Sequence, residues 1–318
     1  MRILLIGGSG FMGSHLIREL RAQGHSLAVL HRGRRPVPET TVELIEGDRR
    51  RLPALRPAIA AFDPDAVVDF IAYTAQDAWS LVQTFERETR LVVLSSGDVY
   101  RAYDRFRGEE TAAQPTPLSE ESPLRDQLFP YAAMVEGNDA EKMEFLRRYD
   151  KILVEQLVRA NFPRATLLRL PKVYGPGDGQ LTFRDWVYPM LEDRPHIVLS
   201  QEKAAWKWSK EYVGNVARTI AACLTQPETE GATLNVAGSP AIGELEWGRR
   251  IADLLGWKGR LRTAPEDKLP AALRDDFIYE QNLDYATKRI EKALGVQSRI
   301  VPEKGLRATV DYLAIRHA

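Results

Sequence analysis

Short apolar runs and longer stretches carrying an apolar stripe take turns along the first half of the chain. The runs at 3–6, 26–30, 43–46, 66–70, 91–95 and 166–170 are bounded by turn formers and predict buried strands. Between them, apolar residues recurring at three- and four-residue spacing predict helices over 13–23, 52–62, 77–87 and 139–160. This alternation is the pattern of an α/β fold. A parallel strand is reached only through a crossover long enough to hold a helix, so helices come to cover both faces of the sheet. The segment from Tyr100 to Asn138 breaks the rhythm. Rich in Pro, Glu and Arg and without periodicity, it reads as a long surface excursion, either a lid or plain disorder.

After Pro171 the texture changes. A turn cluster, Tyr174-Gly-Pro-Gly-Asp-Gly179, precedes a helical pattern over 183–191 and a strand-like run at 196–199. A stretch bearing Trp206 and Trp208 follows, then a helix over 213–224 and a strand at 233–237. The tail carries helical pieces at 245–255, 285–293 and 303–316, and no internal repeat is present.

Composition narrows the function classes. The 318 residues carry 44 basic and 44 acidic side chains, a zero net charge that argues against a broad footprint for nucleic acid or an anionic membrane. The single cysteine, Cys223, excludes an internal disulfide and a cysteine-rich zinc site, and its apolar helical surroundings mark it as core. No apolar run has the length of a membrane span, and the first is too short for a signal peptide. The expectation is a soluble, cytoplasmic protein with a small-molecule ligand and no metal.

The chemistry starts at the N-terminus. The first apolar run ends in Gly7, Gly10 and Gly13, with Phe11 and Met12 between them, and a helical pattern begins at once. Glycines between a strand and a helix permit a tight turn that brings backbone N–H groups against a pyrophosphate at the helix N-terminus. This predicts a dinucleotide-binding, Rossmann-type doubly wound parallel sheet over 1–170, to which 211–237 returns. A smaller C-terminal substrate domain falls within 171–318. The second strand ends in His31-Arg32-Gly33-Arg34-Arg35, with no acidic residue to bind a ribose 2′-hydroxyl and three arginines to meet a 2′-phosphate. NADP(H) is therefore expected over NAD(H), the alternative being a solvated basic turn.

Four motifs occur together: the glycine turn, Leu94-Ser-Ser-Gly-Asp-Val-Tyr100, Tyr149-Asp-Lys-Ile-Leu-Val-Glu155 and Arg169-Leu-Pro-Lys-Val-Tyr-Gly-Pro176. In this order and spacing the chain resembles the extended short-chain dehydrogenase/reductases, the NAD-dependent epimerase/dehydratase group, from residue 1 to about 240. The resemblance implies that Ser96 hydrogen-bonds a reacting hydroxyl or carbonyl, and that Lys151 holds the nicotinamide ribose. It also implies that Asp48 accepts from the adenine amino group and that Ala72 and Tyr73 lie beside the adenosine ribose.

The family's catalytic Tyr stands four residues before its Lys, where this chain has Arg147. On a continuous helix Arg147 and Lys151 share a face, whereas Tyr149 lies about 200° from Lys151 and cannot take the empty place without a change of register. Arg147 stays protonated and could grip an oxyanion but could not shuttle a proton. Asp98, where the family's sugar dehydratases carry a catalytic Glu, is the first substitute acid/base, and Tyr131 of the excursion is another. For Ser96 and Asp98 the alternative is a strand-end turn, and for Lys151 a salt-bridged helix edge with Arg147 and Glu155.

Lys172, Trp206 and Trp208 are candidate substrate contacts, with a loop lysine and a small aromatic core as the alternatives. The expected protein is an atypical NAD(P)-dependent epimerase, dehydratase or reductase acting on a hydroxyl or carbonyl of a nucleotide sugar or another small polar metabolite. The contrasting possibility is a catalytically silent nucleotide-bound sensor or assembly factor, or an RNA-binding protein like the family's chloroplast stem-loop-binding relatives. The resemblance also allows a homodimer through a helical pair that includes the Lys-bearing helix.

Overall fold

The computed structural model describes residues 1–33, 42–134, 139–238, 240–295 and 300–317. Its first part runs β1 (Arg2–Ile6), α1 (Phe11–Ala22), β2 (Ser26–His31), β3 (Glu43–Glu46), α2 (Arg56–Phe62), β4 (Ala66–Asp69) and α3 (Ala75–Thr84). It continues with β5 (Arg90–Ser96), α4 (Arg101–Phe106), α5 (Ala140–Arg148), α6 (Lys151–Asn161) and β6 (Thr166–Leu170). The second part holds β7 (Lys172–Tyr174), α7 (Arg184–Leu191), β8 (His196–Ser200), α8 (Gln201–Ala205), β9 (Lys210–Tyr212) and α9 (Val213–Thr225). It closes with β10 (Thr233–Asn235), α10 (Glu244–Leu255), β11 (Arg260–Ala264), α11 (Lys288–Leu294) and α12 (Pro302–His317).

Among the described residues, seven strands form one parallel sheet in the order β10-β6-β5-β4-β1-β2-β3. Both faces are covered, which is why β1, β4 and β5 are apolar almost throughout. One face packs Leu16, Leu20, Val216 and Ile220 of α1 and α9, and the other Ile59, Leu81, Val154 and Val158 of α2, α3 and α6. The strand order reverses between β1 and β4, and the crevice outside their carboxyl ends is where such sheets take their ligands. After α9 the chain returns to this sheet through β10, paired to β6.

The smaller part is built from α7, α8, α10, α12 and the pairs β8–β11 and β7–β9, around a core that includes Tyr174, Phe183, Trp186 and Trp247. A further aromatic core joins the two parts. In it Tyr100 and Phe106 from the first half meet Trp206, Tyr279 and Tyr285 from the second. Among the described residues no helix is long and apolar enough to cross a membrane.

Three segments depart from the periodicity. The helix expected over 52–62 is a 3₁₀ stretch, Arg49–Leu55, followed by α2, because Pro53 interrupts the first turn and a second proline opens the next. The tail helix begins at Lys288, since Tyr285 is held extended in a bridge to Leu118. The third departure matters most. The single helix expected over 139–160 is two helices, broken at Tyr149 and Asp150, both in extended conformation. Asp150 caps α6 by accepting from the N–H groups of Ile152 at 2.8 Å and Leu153 at 3.4 Å.

The excursion pins this break. Arg125 donates to Asp150 Oδ1 at 3.0 Å, and the Phe129 N–H donates to Oδ2 at 2.6 Å. Both charged side chains are wholly buried. Removing one partner of such a pair strands the other charge, so Arg125→Ala is expected to lower the unfolding free energy by about 3–5 kcal/mol. Urea denaturation of the variant checks this, and a loss under about 1 kcal/mol would show that the pair is not structural.

Candidate active site

β1 delivers the chain into the glycine turn. Gly7 takes φ +81°, a left-handed conformation open to glycine, and a Cβ on Gly13 would lie 2.2 Å from the Gly8 carbonyl oxygen. The turn therefore admits no side chain where α1 packs onto the strand end. α1 opens at Gly10 with no side-chain cap and no acidic residue in its first turn. Its leading N–H groups at Phe11, Met12 and Gly13 and its positive dipole end are left for an anion. These features fit a dinucleotide pyrophosphate.

Around this turn, Asp48 follows β3 and holds Arg50 through both carboxylate oxygens, a bond that keeps its pKa below the usual carboxylate range. Arg32, just past β2, adds to that lowering. Arg34 and Arg35 lie outside the described residues. Glu46, at the end of β3, sits against Gly33, a neighbour that the linear pattern did not reveal.

The chemistry-bearing cluster stands at the carboxyl end of β5. Ser96 ends the strand, and its hydroxyl accepts from the Asp98 N–H at 3.3 Å. Asp98 is buried, and its Oδ2 accepts from the hydroxyls of both Tyr131 and Tyr149, each at 2.8 Å. The Tyr149 hydroxyl interacts with Ser96 as well. Burial first, and then the Asp98 charge, push the Tyr149 and Tyr131 hydroxyls above their ordinary pKa of 10. At neutral pH both are proton donors.

The helix break puts Tyr149 here. With α5 ended and α6 not yet begun, Tyr149 escapes the angular relation to Lys151 that a continuous helix would impose. The face expected to be shared by Arg147 and Lys151 does not exist, because Arg147 is exposed in the last turn of α5 and Lys151 opens α6. Tyr149 and its support from Arg125 escaped the linear pattern, which took the helix as continuous. A signal was present in Asp150, a preferred N-cap residue directly before an apolar run.

Lys151 is buried, and its Nζ donates to the carbonyls of Ala72 at 2.8 Å and Leu94 at 2.7 Å, with the Tyr73 ring centroid 4.5 Å away. Glu155, one helical turn on, accepts from Ser95 and Arg169 inside the fold rather than edging a solvated helix. Trp206 is a core residue, stacked on Phe106 at 4.6 Å with its indole N–H donated to the Gln281 carbonyl. Trp208 is half-buried and flanked by Lys172 and Lys210, whose ammonium groups lie 5.7 Å and 5.6 Å from its ring centroid. Trp208 also interacts with Tyr285, which packs against Gly97 of the turn that follows β5.

A doubly wound parallel sheet with this glycine turn is a Rossmann-type α/β fold, and the polar cluster at the end of β5 stands at its ligand-binding edge. Residues 3–134 match the model of the NAD dependent epimerase/dehydratase family. It is 27% identical to a 2′-dehydrokanamycin reductase of Streptomyces kanamyceticus, over 99% of this chain and 84% of that one. It is 26% identical to a dTDP-4-dehydro-6-deoxy-D-allose reductase of a Streptomyces species, over 93% of this chain and 95% of that one. Among solved structures, the fold is similar to a dTDP-glucose 4,6-dehydratase of Bacillus anthracis in complex with NAD, with a TM-score of 0.70, 15% identity and coverage of 99% and 97%. It is likewise similar to a UDP-glucose 4-epimerase of Thermus thermophilus in complex with NAD, with a TM-score of 0.66, 21% identity and 99% of each chain covered.

The buried Lys151 gives this site a stability signature. Burial lowers its pKa from 10.5 to about 8, against the opposing charges of Asp69, Asp98 and Asp77. A lowered lysine pKa favours the folded state fully above 10.5, and that contribution is lost as pH falls through about 8. The stability difference between wild type and Lys151→Met is therefore expected to move in favour of wild type from about pH 8 to pH 10.5, as read by urea denaturation. A flat or opposite trend would show that the nearby carboxylates outweigh burial.

Proposed function

We propose that this protein is an NAD(P)H-dependent reductase of a ketone on a sugar or sugar-like substrate, with Tyr149 as the proton donor. One observation carries this reading: the protonated Tyr149 hydroxyl sits with Ser96 and Asp98 at the carboxyl end of β5. When bound, the dinucleotide supplies a hydride from its reduced nicotinamide. Ser96 hydrogen-bonds the carbonyl oxygen, and Tyr149 turns its proton from Asp98 Oδ2 to that oxygen as the carbon is reduced. A tyrosine held above its ordinary pKa suits this direction, since an acid must be protonated before the reaction starts. The relatives named 2′-dehydrokanamycin reductase and dTDP-4-dehydro-6-deoxy-D-allose reductase match nearly the whole chain, which supports reduction over epimerisation.

Lys172 and Trp208 are assigned to the substrate, the indole offering a face for a sugar ring. NADP(H) is assigned over NAD(H). Arg32 follows β2 where a ribose-binding acid would stand, and Glu46 sets the limit on that preference. A titration followed by nucleotide fluorescence is expected to give NADPH at least about ten-fold tighter binding than NADH, about 1.4 kcal/mol. Equal binding, or tighter NADH, would overturn the assignment.

The reaction is tested with NADPH and a dTDP-4-keto-6-deoxy sugar, following loss of the reduced nicotinamide and formation of the alcohol. Stoichiometric oxidation is expected, and Ser96→Ala is expected to cut kcat by roughly 10²-fold. Conversion of the sugar without consumption of NADPH would replace the reductase reading with epimerisation or dehydration.

A further inference from the structure

Asp98 joins two tyrosines through a single atom. The hydroxyls of Tyr131 and Tyr149 both donate to Oδ2, while Oδ1 is buried without a hydrogen-bond partner among the described residues. A proton that Tyr131 hands to Oδ2 is therefore one hydrogen bond from Tyr149. The two ends differ in access: Tyr149 is 7% exposed and Asp98 4%, whereas Tyr131 is only half-buried and meets water.

Tyr131 is held in this place by its surroundings. Arg107 lies over its ring at 5.2 Å and clamps the Pro130 carbonyl at 2.7 Å. The Tyr103 hydroxyl interacts with that of Tyr131, and the rings of Tyr131 and Tyr149 are 5.1 Å apart. Lys151 is poorly placed to share the task, because its ammonium donates to two backbone carbonyls and faces Tyr73.

We propose that Tyr131 resupplies the proton that Tyr149 gives to the substrate, passing it through Asp98 Oδ2. This rests on Tyr149 being the proton donor of the proposed reductase. In the reduction the carbonyl π bond breaks. The carbon takes hydride from the reduced nicotinamide, which is oxidised, and the oxygen takes the Tyr149 proton. Asp98 Oδ2 then accepts the Tyr131 proton and releases it to the Tyr149 phenolate, and water reprotonates Tyr131. Charge on the protein is unchanged over the cycle, and Tyr131 acts only through Asp98.

The test has a substrate-free arm and a kinetic arm. The first measures, by NMR with tyrosine labelled at Cζ, how fast the Tyr149 hydroxyl proton exchanges with water in the wild type and in Tyr131→Phe. The relay requires exchange to slow by roughly ten-fold or more in the variant, whereas mere loosening of the excursion would speed it. Unchanged or faster exchange overturns the proposal. Asp98→Asn, which keeps the shape of the side chain, is expected to slow exchange as well.

In the kinetic arm, Tyr131→Phe is expected to lose roughly ten-fold or more in kcat at unchanged KM and to regain it with small buffer acids such as imidazole. Full kcat in the variant, or a loss that buffer does not restore, overturns the relay. Failure of the wild type to reduce any ketone overturns the reductase reading alone, and the exchange arm still decides the proton path.

Discussion

The buried ion pair between Arg125 and Asp150 is the constraint on which the site depends. Asp150 caps α6, accepts from the Phe129 N–H and binds Arg125, while its own N–H donates to the Tyr73 carbonyl at 2.9 Å. Arg125 in turn donates to the Asp98 carbonyl at 2.8 Å. One pair thus ties the strand-end segment that carries Asp98, the covering excursion that carries Tyr131 and the helix break that carries Tyr149. Two charges taken out of water persist only when their remaining hydrogen bonds are met, and here the partners come from three separate parts of the chain. That requirement makes the arrangement specific: if any one segment moves, a hydrogen bond of the buried pair is lost.

Much of the fold was legible because it rests on periodicity. The strands β1, β2, β4, β5 and β6 are covered on both faces and therefore read as apolar runs, and the glycine turn sits where a strand gives way to a helix. The small strands β7, β9 and β11 were not legible. β7 and β9 have three residues each, and β11 is largely exposed, so no apolar run marks them. The contacts of the excursion were not legible for a different reason. Its order comes from polar and aromatic contacts to distant segments, such as Arg125 to Asp150 and Leu118 to Tyr285, and these have no period.

The candidate site divides along the same line. Ser96, Asp98 and Lys151 stand at strand ends and helix starts, so the linear pattern could place them, but it could not reveal their partners. Tyr149 was excluded by the geometry of a continuous helix, and the structure removes that premise. Glu155, expected as the alternative to edge a salt-bridged helix with Lys151, is engaged by Ser95 and Arg169 in a buried network beneath the site. Around Asp98 the fold gathers hydroxyl groups, and the carboxylate favours their protonated forms, the state needed to give a proton to a carbonyl oxygen.

The central claim is that Tyr149, brought in by the helix break, has taken the proton-donating role that a tyrosine at position 147 would hold. Steady-state turnover of a ketone substrate by Tyr149→Phe and Arg147→Ala, compared with wild type under saturating NADPH, tests it most directly. The account predicts that kcat falls at least about 10²-fold in Tyr149→Phe and stays within a few-fold of wild type in Arg147→Ala. Near-normal turnover by Tyr149→Phe, with loss of turnover in Arg147→Ala, would contradict it.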